Sequence, residues 1–240
     1  MKAVKGMLSS SISTCQYPAF RSRHVKIFAP PAEEGGQPVI RPYTPVSPIT
    51  EKGSVTFVIK LYRKCEEFPD GGKMSAYLDT VEVGDKVTME GPIGKIIYTG
   101  EGNFVKMKKP LNKVSKIGLL AGGSGITPVY AIMNAMRLAK ETDIEVKCLY
   151  SNKSAGDILI KDELDVIEKE CPNIKIYHTL TREKVDGMLN GRVSMEMLKE
   201  LDFPEAGPDT LMFSCGPKAF NDHIKEFLTE AGYEKDLIYP

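Results

Sequence analysis

The chain of 240 residues has no surplus of charge, because 32 Lys and Arg balance 32 Asp and Glu. That balance leaves no basic excess of the kind that holds nucleic acid. No apolar run approaches the roughly 18 residues that a membrane-spanning helix needs, and no secretory hydrophobic region opens the chain. The five cysteines, Cys15, Cys65, Cys148, Cys171 and Cys215, include no C-x-x-C pair. Their odd number and wide spacing point to free thiols in a reducing compartment. The expectation is an intracellular protein, cytoplasmic or mitochondrial, either free or peripheral to a membrane. The three histidines, His24, His178 and His223, lack metal-ligand spacing, so no metal site is expected. Acid is missing from the start as well: Lys2, Lys5, Arg21, Arg23 and Lys26 precede the first carboxylate, Glu33, among several serines. This suits a transit peptide, although a plain basic terminus is the preferred reading.

What is present is a globular composition, 42% hydrophobic and 27% charged, with length for one large domain or two of ordinary size. The rhythm changes near the middle. Up to about residue 20 there is no convincing period. After it, 24–28 and 54–62 alternate as strands, the second with Val55, Phe57, Ile59 and Leu61 on one face. The segment 39–46 carries Pro42 and Pro45, with Pro48 just beyond, and belongs at a sheet edge or barrel rim. A short helix is expected through Leu78. Residues 81–90 read as a strand region with a turn at Gly84-Asp85, closed by Gly91-Pro92-Ile93-Gly94. Many short strands with Gly/Pro turns indicate a small antiparallel barrel or sandwich. The polar stretch 107–113 marks a boundary, giving domains 1–110 and 111–240.

The second half alternates strand and helix: strands over 117–120, 144–150, 174–180 and 211–215, helices over 128–139, 162–170, 194–200 and 218–231. Such alternation predicts a parallel sheet with helices on both faces, and ligands at the carboxyl ends of its strands. The pivotal stretch is Gly122-Gly123-Ser124-Gly125-Ile126-Thr127-Pro128. It places glycines after a buried strand, then Thr127 as an N-cap, then Pro128 at a first helical position. Val129, Ile132, Met133 and Met136 come next at helical spacing. Strand, glycine loop and helix start make an anion site, since free N–H groups and the helix dipole both face the loop. The spacing is neither G-x-G-x-x-G nor a P-loop, and taken alone the stretch reads equally as a tight turn. Cys215-Gly216-Pro217 leaves a second strand end. Gly232 is expected to cap the last helix.

Four motifs in order, Arg41-Pro42-Tyr43-Thr44-Pro45, Gly71-Gly72-Lys73-Met74-Ser75, the 122–128 stretch and Cys215-Gly216-Pro217, give the chain from about His24 onward a specific likeness. Together with Gly91-Pro92-Ile93-Gly94 it resembles the NADH–cytochrome b5 reductases, within the ferredoxin-reductase-like flavoenzymes. The resemblance implies FAD in an N-terminal antiparallel barrel, NADH (with NADPH also admissible) in a C-terminal parallel α/β domain, and a cytochrome b5-like acceptor. Arg41 and Pro42 would hold the FAD pyrophosphate side. Tyr43 would lie against the isoalloxazine, and Thr44 would hydrogen-bond near its reactive edge. Val58, Ile59 and Lys60 would line the flavin, with Tyr62 along the ribityl or adenine portion. Gly72, Lys73, Met74 and Ser75 would face the diphosphate. Thr127 would touch FAD, while Gly122, Gly123 and Ser124 meet the incoming nicotinamide nucleotide. Cys215, Gly216 and Pro217 would pack beside the nicotinamide. Thr44, Lys60 and Cys215 are the residues expected nearest the chemistry. For Lys60 the plainer reading is a solvated strand lysine, and for Cys215 a buried strand-end thiol.

Three departures bear on this. The family has two further strands ahead of 24–28, where this chain has some twenty Ser-rich residues, so an incomplete barrel with an unprotected edge is expected. Relatives end on an aromatic near the flavin; here Tyr239 takes that part only if Pro240 does not displace it. An acid that reads the adenosine ribose in NADH-using relatives is replaced by Thr181, followed by Arg182. The alternatives are a noncatalytic nucleotide-binding module and a reductase for another acceptor.

Overall fold

The computed structural model describes residues 4–8, 23–31, 35–48, 50–66, 68–233 and 238–239. Lys2, Cys15, Arg21 and Pro240 lie outside them.

The N-terminal half consists of three antiparallel sheets. β1 (Val4–Leu8) pairs with β4 (Val55–Ile59), in register from Val4 opposite Ile59 to Leu8 opposite Val55. This corrects the expectation that nothing before residue 20 forms a strand, and it covers an edge that was expected to stand open. β2 (His24–Ala29) lies between β3 (Val39–Tyr43) and β5 (Thr88–Ile93). Its alternate residues Val25, Ile27 and Ala29 point into a small core with Phe57 and Met74. β3 is therefore an edge strand, which is where Pro42 costs no ladder bond. The helix α1 (Lys73–Leu78) packs its Met74 into the same core.

The expected strand over 81–90 is shorter and later than its pattern suggests. Residues 82–86 turn through solvent, with Val83 fully exposed, while Val87 packs against the small core. The Asp85 carboxylate accepts the Glu82 N–H at 2.8 Å, so a side chain closes the turn that a ladder would otherwise occupy. The strand proper is β5, and Gly91-Pro92-Ile93 continues it rather than closing it. Next comes a meander of β6 (Ile96–Gly100), β7 (Asn103–Lys106) and β8 (Lys109–Pro110). Its Tyr98 and Phe104 are buried with residues of the second half, and the Tyr98 hydroxyl donates to the Glu141 carboxylate.

The second half is a parallel sheet with helices on both faces. β9 (Lys116–Gly122) is buried on both sides, as a central parallel strand must be. It leads through a short 3-10 turn to α2 (Ile126–Ala139). β10 (Glu145–Asn152), α3 (Lys161–Glu170), β11 (Ile174–Leu180) and β12 (Leu189–Asn190) run outward on one side. After α4 (Met195–Glu200) the chain crosses back to β13 (Thr210–Cys215), α5 (Lys218–Glu230) and β14 (Ile238–Tyr239). The strand order is β12-β11-β10-β9-β13-β14, all parallel. Strand order thus reverses between β9 and β13, the place where such sheets open a crevice for ligands.

Helix ends reflect local chemistry. At the end of α5 the Gly232 N–H reaches the Thr229 carbonyl and the Tyr233 N–H reaches that of Leu228, both at 3.1 Å. Gly232 has φ +86°, so this is the left-handed closure expected of it. Helix α2, in contrast, starts two residues before Pro128 and is not capped by Thr127. Gly125 holds the N-cap position, and the Thr127 hydroxyl turns back onto the Ser124 carbonyl at 3.3 Å. The 3-10 turn over the glycines runs directly into the helix, which brings Thr127 inside it.

An ion pair links the halves: Lys60 Nζ lies 3.0 Å from Asp157 Oδ1, with the side chains only 12% and 10% exposed. Burial raises the Asp157 carboxyl's pKa. The hydrogen bond and charge of Lys60, with the Ser154 hydroxyl, more than offset this and hold it below the usual carboxylate value. Its contribution is therefore full at neutral pH, and it is lost as the pH falls from roughly 4 through the depressed folded value. Removing either partner strands a desolvated charge, so Lys60→Met and Asp157→Leu should each destabilise the protein by about 1–3 kcal/mol at pH 7. The double variant should recover part of that loss. Urea midpoints of the four proteins measure the coupling; strict additivity would show that the pair does not join the halves energetically.

Candidate functional site: two glycine turns at the reversal of the sheet

Cys215 is paired with Ala121 across β13 and β9, so the turns after these strands emerge side by side. A Cβ on Gly125 would lie 1.9 Å from the Cys215 carbonyl oxygen and 2.8 Å from the Gly216 nitrogen. No other residue fits there. A Cβ on Gly122 or Gly216 would press on the Phe220 ring at 3.1 and 2.7 Å. Gly123 holds φ +54°. The structure therefore brings Gly122, Gly123, Ser124, Cys215, Gly216 and Pro217 together, with Ser124 and Pro217 exposed and Thr127 buried beneath. Burial pushes the Cys215 thiol up to about 11, so it is a neutral group at physiological pH and not a nucleophile.

On the other side, Tyr43, Ile59 and Met74 share one apolar cluster. Burial raises the Tyr43 phenol's pKa; the Arg41 charge opposes this and Tyr62 adds to it, which places the three within electrostatic reach of one another. The Arg41 guanidinium donates to the Ile40 carbonyl at 2.8 Å and has no carboxylate partner among the described residues. Tyr62 and the 71–75 turn are stitched at both ends. The Gly72 N–H donates to the Tyr62 carbonyl at 2.7 Å, and the Tyr62 N–H donates to Ser75 Oγ at 2.9 Å. The Ser75 oxygen is thus occupied as an acceptor while its proton stays available. Thr44 is buried just past β3, and Val58 and Ile59 end β4 half-buried. Lys60 reaches Asp157, and its ammonium lies 5.9 Å from the Tyr62 ring centre.

Thr181 is exposed just past β11, with its hydroxyl 3.4 Å from the Asn152 carbonyl. Beside it, Asn152 is buried with its side chain against the Tyr150 hydroxyl.

Three helix starts have neither a side-chain cap nor an acid in the first turn: α1 after Gly72, α2 after Gly125 and α5 after Pro217. These are the three starts that carry the expected dinucleotide motifs. Uncapped N–H groups, the Arg41 fork and glycines that admit a close backbone approach fit two pyrophosphate-bearing cofactors. Among the described residues no cluster of His, Cys, Asp and Glu could hold a metal ion, and no helix is long and apolar enough to cross a membrane.

Sequence reasoning missed Asp157, Asn152 and Phe220. Asp157 and Lys60 are far apart in the chain and nothing local pairs them. Phe220 lies inside the expected helix 218–231, where nothing local sets it apart from the other apolar residues. Asn152 carried a usable signal, because it closes the strand after the glycine-loop helix, where βαβ folds read the ribose.

Antiparallel sheets joined to a parallel sheet with its crevice at β9 and β13 define the ferredoxin-reductase-like class of two-cofactor oxidoreductases. Residues 7–98 match the oxidoreductase FAD-binding domain and residues 119–226 the oxidoreductase NAD-binding domain. The chain is 33% identical to NADH-cytochrome b5 reductase 2 of Danio rerio over 87% of its own length and 70% of that protein. It is 35% identical to the NADH nitrate reductase of Volvox carteri over 85% of its length, but spans only 24% of that much longer enzyme. The crystal structure of the cytochrome b5 reductase domain of Ulva prolifera nitrate reductase superposes with a TM-score of 0.85 at 28% identity, covering 100% of this chain and 97% of that one. The chain belongs to the NADH–cytochrome b5 reductase family.

The thiol chemistry is open to a direct check. At pH 8 a thiol of pKa 11 is about one part in a thousand thiolate. A short iodoacetamide pulse and peptide mass spectrometry should find exposed Cys65 modified well ahead of Cys215. Equal rates at the two positions would contradict the neutral, positional role.

Proposed function

We propose that the chain takes a hydride from NADH onto FAD and delivers electrons singly to a haem protein such as a cytochrome b5. The observation that carries this reading is the set of three uncapped, acid-free helix starts, α1, α2 and α5, each beside a glycine or proline turn of the site. When bound, the flavin supplies the conversion between a two-electron donor and a one-electron acceptor. The protein binds, orients and excludes water.

In this reading residues 1–110 hold FAD and 111–240 hold the nicotinamide nucleotide. Arg41 clasps the FAD diphosphate bidentately, with the N–H groups of Lys73, Met74 and Ser75 completing the cradle and Gly72 and Pro42 shaping it. Tyr43 packs against the ring system, Thr44 donates to its reactive edge, and Val58, Ile59 and Tyr62 flank it. Lys60 holds the two halves in register through Asp157 and sets the approach of the two cofactors. Gly122, Gly123 and Ser124 receive the nucleotide's phosphates, with Thr127 supporting the turn from below. Cys215, Gly216 and Pro217 form the wall beside the nicotinamide, where a neutral thiol fills space without competing for the hydride. The free-thiol content suits a cytoplasmic or mitochondrial setting.

A second reading keeps the reaction and changes the acceptor. Near-complete coverage of the Ulva prolifera domain supports a reductase module that feeds another redox group. Stopped-flow reduction of cytochrome b5 against a second haem acceptor separates the two.

The purified protein is expected to be yellow, with FAD released by acid. Arg41→Ala removes a charge-assisted contact worth roughly 1.5–3 kcal/mol, so FAD affinity should fall about ten- to a hundredfold. Fluorescence titration of the apoprotein with FAD measures it; unchanged affinity would sink the assignment of Arg41. Cys215→Ser should slow flavin reduction by NADH while leaving FAD content unaltered, and loss of bound FAD in that variant would contradict the placement.

A further inference from the structure

Cys215 is bracketed by one side chain of the helix that follows it. Asn221, near the start of α5, accepts the Ser214 hydroxyl on Oδ1 at 3.3 Å and donates from Nδ2 to the Gly216 carbonyl at 3.2 Å. The residues on either side of Cys215 are therefore bonded to the oxygen and the nitrogen of a single planar amide. Ser214 lies inside β13 and is 1% exposed, whereas Gly216 already belongs to the turn. The amide thus ties a buried residue of the strand to the start of the loop.

The remaining restraints on this turn are contacts of packing. Gly125 comes so near the Cys215 carbonyl that no Cβ fits, and the Phe220 ring stands against Gly122 and Gly216. Such contacts limit how close the two turns approach, but they have little directional preference. The Gly216 peptide could still rotate between them, and that rotation decides where Cys215 and Pro217 face. Hydrogen bonds are directional, so the Asn221 amide supplies the missing restraint. Nothing in α5 itself calls for asparagine here. Asn is a poor helix former because its amide competes for nearby backbone groups. In this helix the amide is directed to the preceding strand and turn instead, while the Asn221 N–H donates to the Pro217 carbonyl at 3.1 Å.

We propose that Asn221 is a positioning residue for hydride transfer: by holding Ser214 and Gly216 together, it sets the place of the Cys215–Pro217 wall beside the nicotinamide. The inference rests on the proposed nicotinamide site. The side chain acts through the turn and does not touch the nucleotide. Its loss is therefore felt in the orientation of a bound donor more than in the affinity for it. A displacement of about 1 Å at a reacting pair lowers a rate by up to about a hundredfold.

Asn221→Asp separates the two bonds. Aspartate still accepts the Ser214 hydroxyl but sets a carboxylate against the Gly216 carbonyl. An acid near a helix N-terminus is favoured by the dipole, so the melting temperature should hold. Asn221→Ala, which removes both bonds, is the second variant. Two rates are read on each FAD-loaded protein: flavin reduction across NADH concentrations by stopped flow, and modification of Cys215 by iodoacetamide, with exposed Cys65 as the internal control. The limiting reduction rate per bound flavin should fall about tenfold, while the half-saturating NADH concentration stays within about twofold. Cys215 should be modified several-fold faster relative to Cys65, because the loosened turn uncovers the thiol. A purely structural role would lower the melting temperature and the FAD content together and leave the rate per bound flavin as it was. That result, or a limiting rate or a Cys215 labelling rate equal to that of the unaltered protein in both variants, would overturn the proposal while leaving the nicotinamide site standing. Failure of NADH to reduce the flavin of the unaltered protein would overturn that site and the proposal together.

Discussion

The close approach of two backbones at the reversal of the sheet governs the layout of the nucleotide-facing half. Because β9 and β13 are parallel neighbours, the chain must leave both strands at the same place and within a few ångströms. Gly125 makes this feasible: with any side chain there, the Cys215 carbonyl would be struck at 1.9 Å. The Phe220 ring then fills the space that Gly122 and Gly216 leave open. The start of α2, the position of Cys215 and the start of α5 are therefore fixed by one packing arrangement. A ligand seated on it meets a surface already organised, which spares the ordering entropy that a flexible loop would have to lose on binding.

The two halves are held by different forces. The β6–β8 meander belongs to the N-terminal half by chain order, yet its Tyr98 and Phe104 are packed in the core of the second half. That contact is mostly apolar, with the Tyr98 hydroxyl and the Glu101 N–H donating to the Glu141 carboxylate beside it. The Lys60–Asp157 pair is polar, nearly dry and directional. Desolvation works against such a pair, and the Ser154 hydroxyl on the second carboxylate oxygen helps to offset it. Apolar packing tolerates small slides between the halves; a hydrogen-bonded ion pair penalises them. For two cofactors that must meet at a defined distance, that directional restraint matters more than the net stability it adds.

The second half was the more legible in the sequence. Its central strands are largely buried and read as short apolar runs, and its helices repeat at 3.6, so β9, β10, β11 and β13 and α2 to α5 fall within a few residues of their expected places, while the two-residue β12 was not anticipated. The first half carries less local information. β1 pairs with a strand some fifty residues on, and its five residues show no alternation that would announce it. Residues 81–87 had the hydrophobic content of a strand, but Asp85 closes a side-chain turn that outcompetes the ladder. Of the site, the motifs carried every residue whose role depends on local backbone shape. Asp157 was not legible, because its partner Lys60 is about a hundred residues away.

Helix starts give the clearest view of how a neutral chain attracts anions. A capping Ser, Thr, Asp or Asn is worth about 1 kcal/mol to a helix, and an acid in the first turn adds to it through the dipole. Helix α4 has both, with the Ser194 oxygen accepting the Met197 N–H and Glu196 in the first turn. Helix α3 lacks a side-chain cap but carries Asp162 and Glu163. Helices α1, α2 and α5 forgo both devices, and these are the three that abut the glycine and proline turns of the site. The pattern is difficult to account for by folding alone, since the simplest local stabilisation has been left unused three times. Phosphate oxygens that supply the missing caps would account for it. An internal acid at any of the three would then compete with the ligand, and the stability omitted from the free protein would reappear on binding.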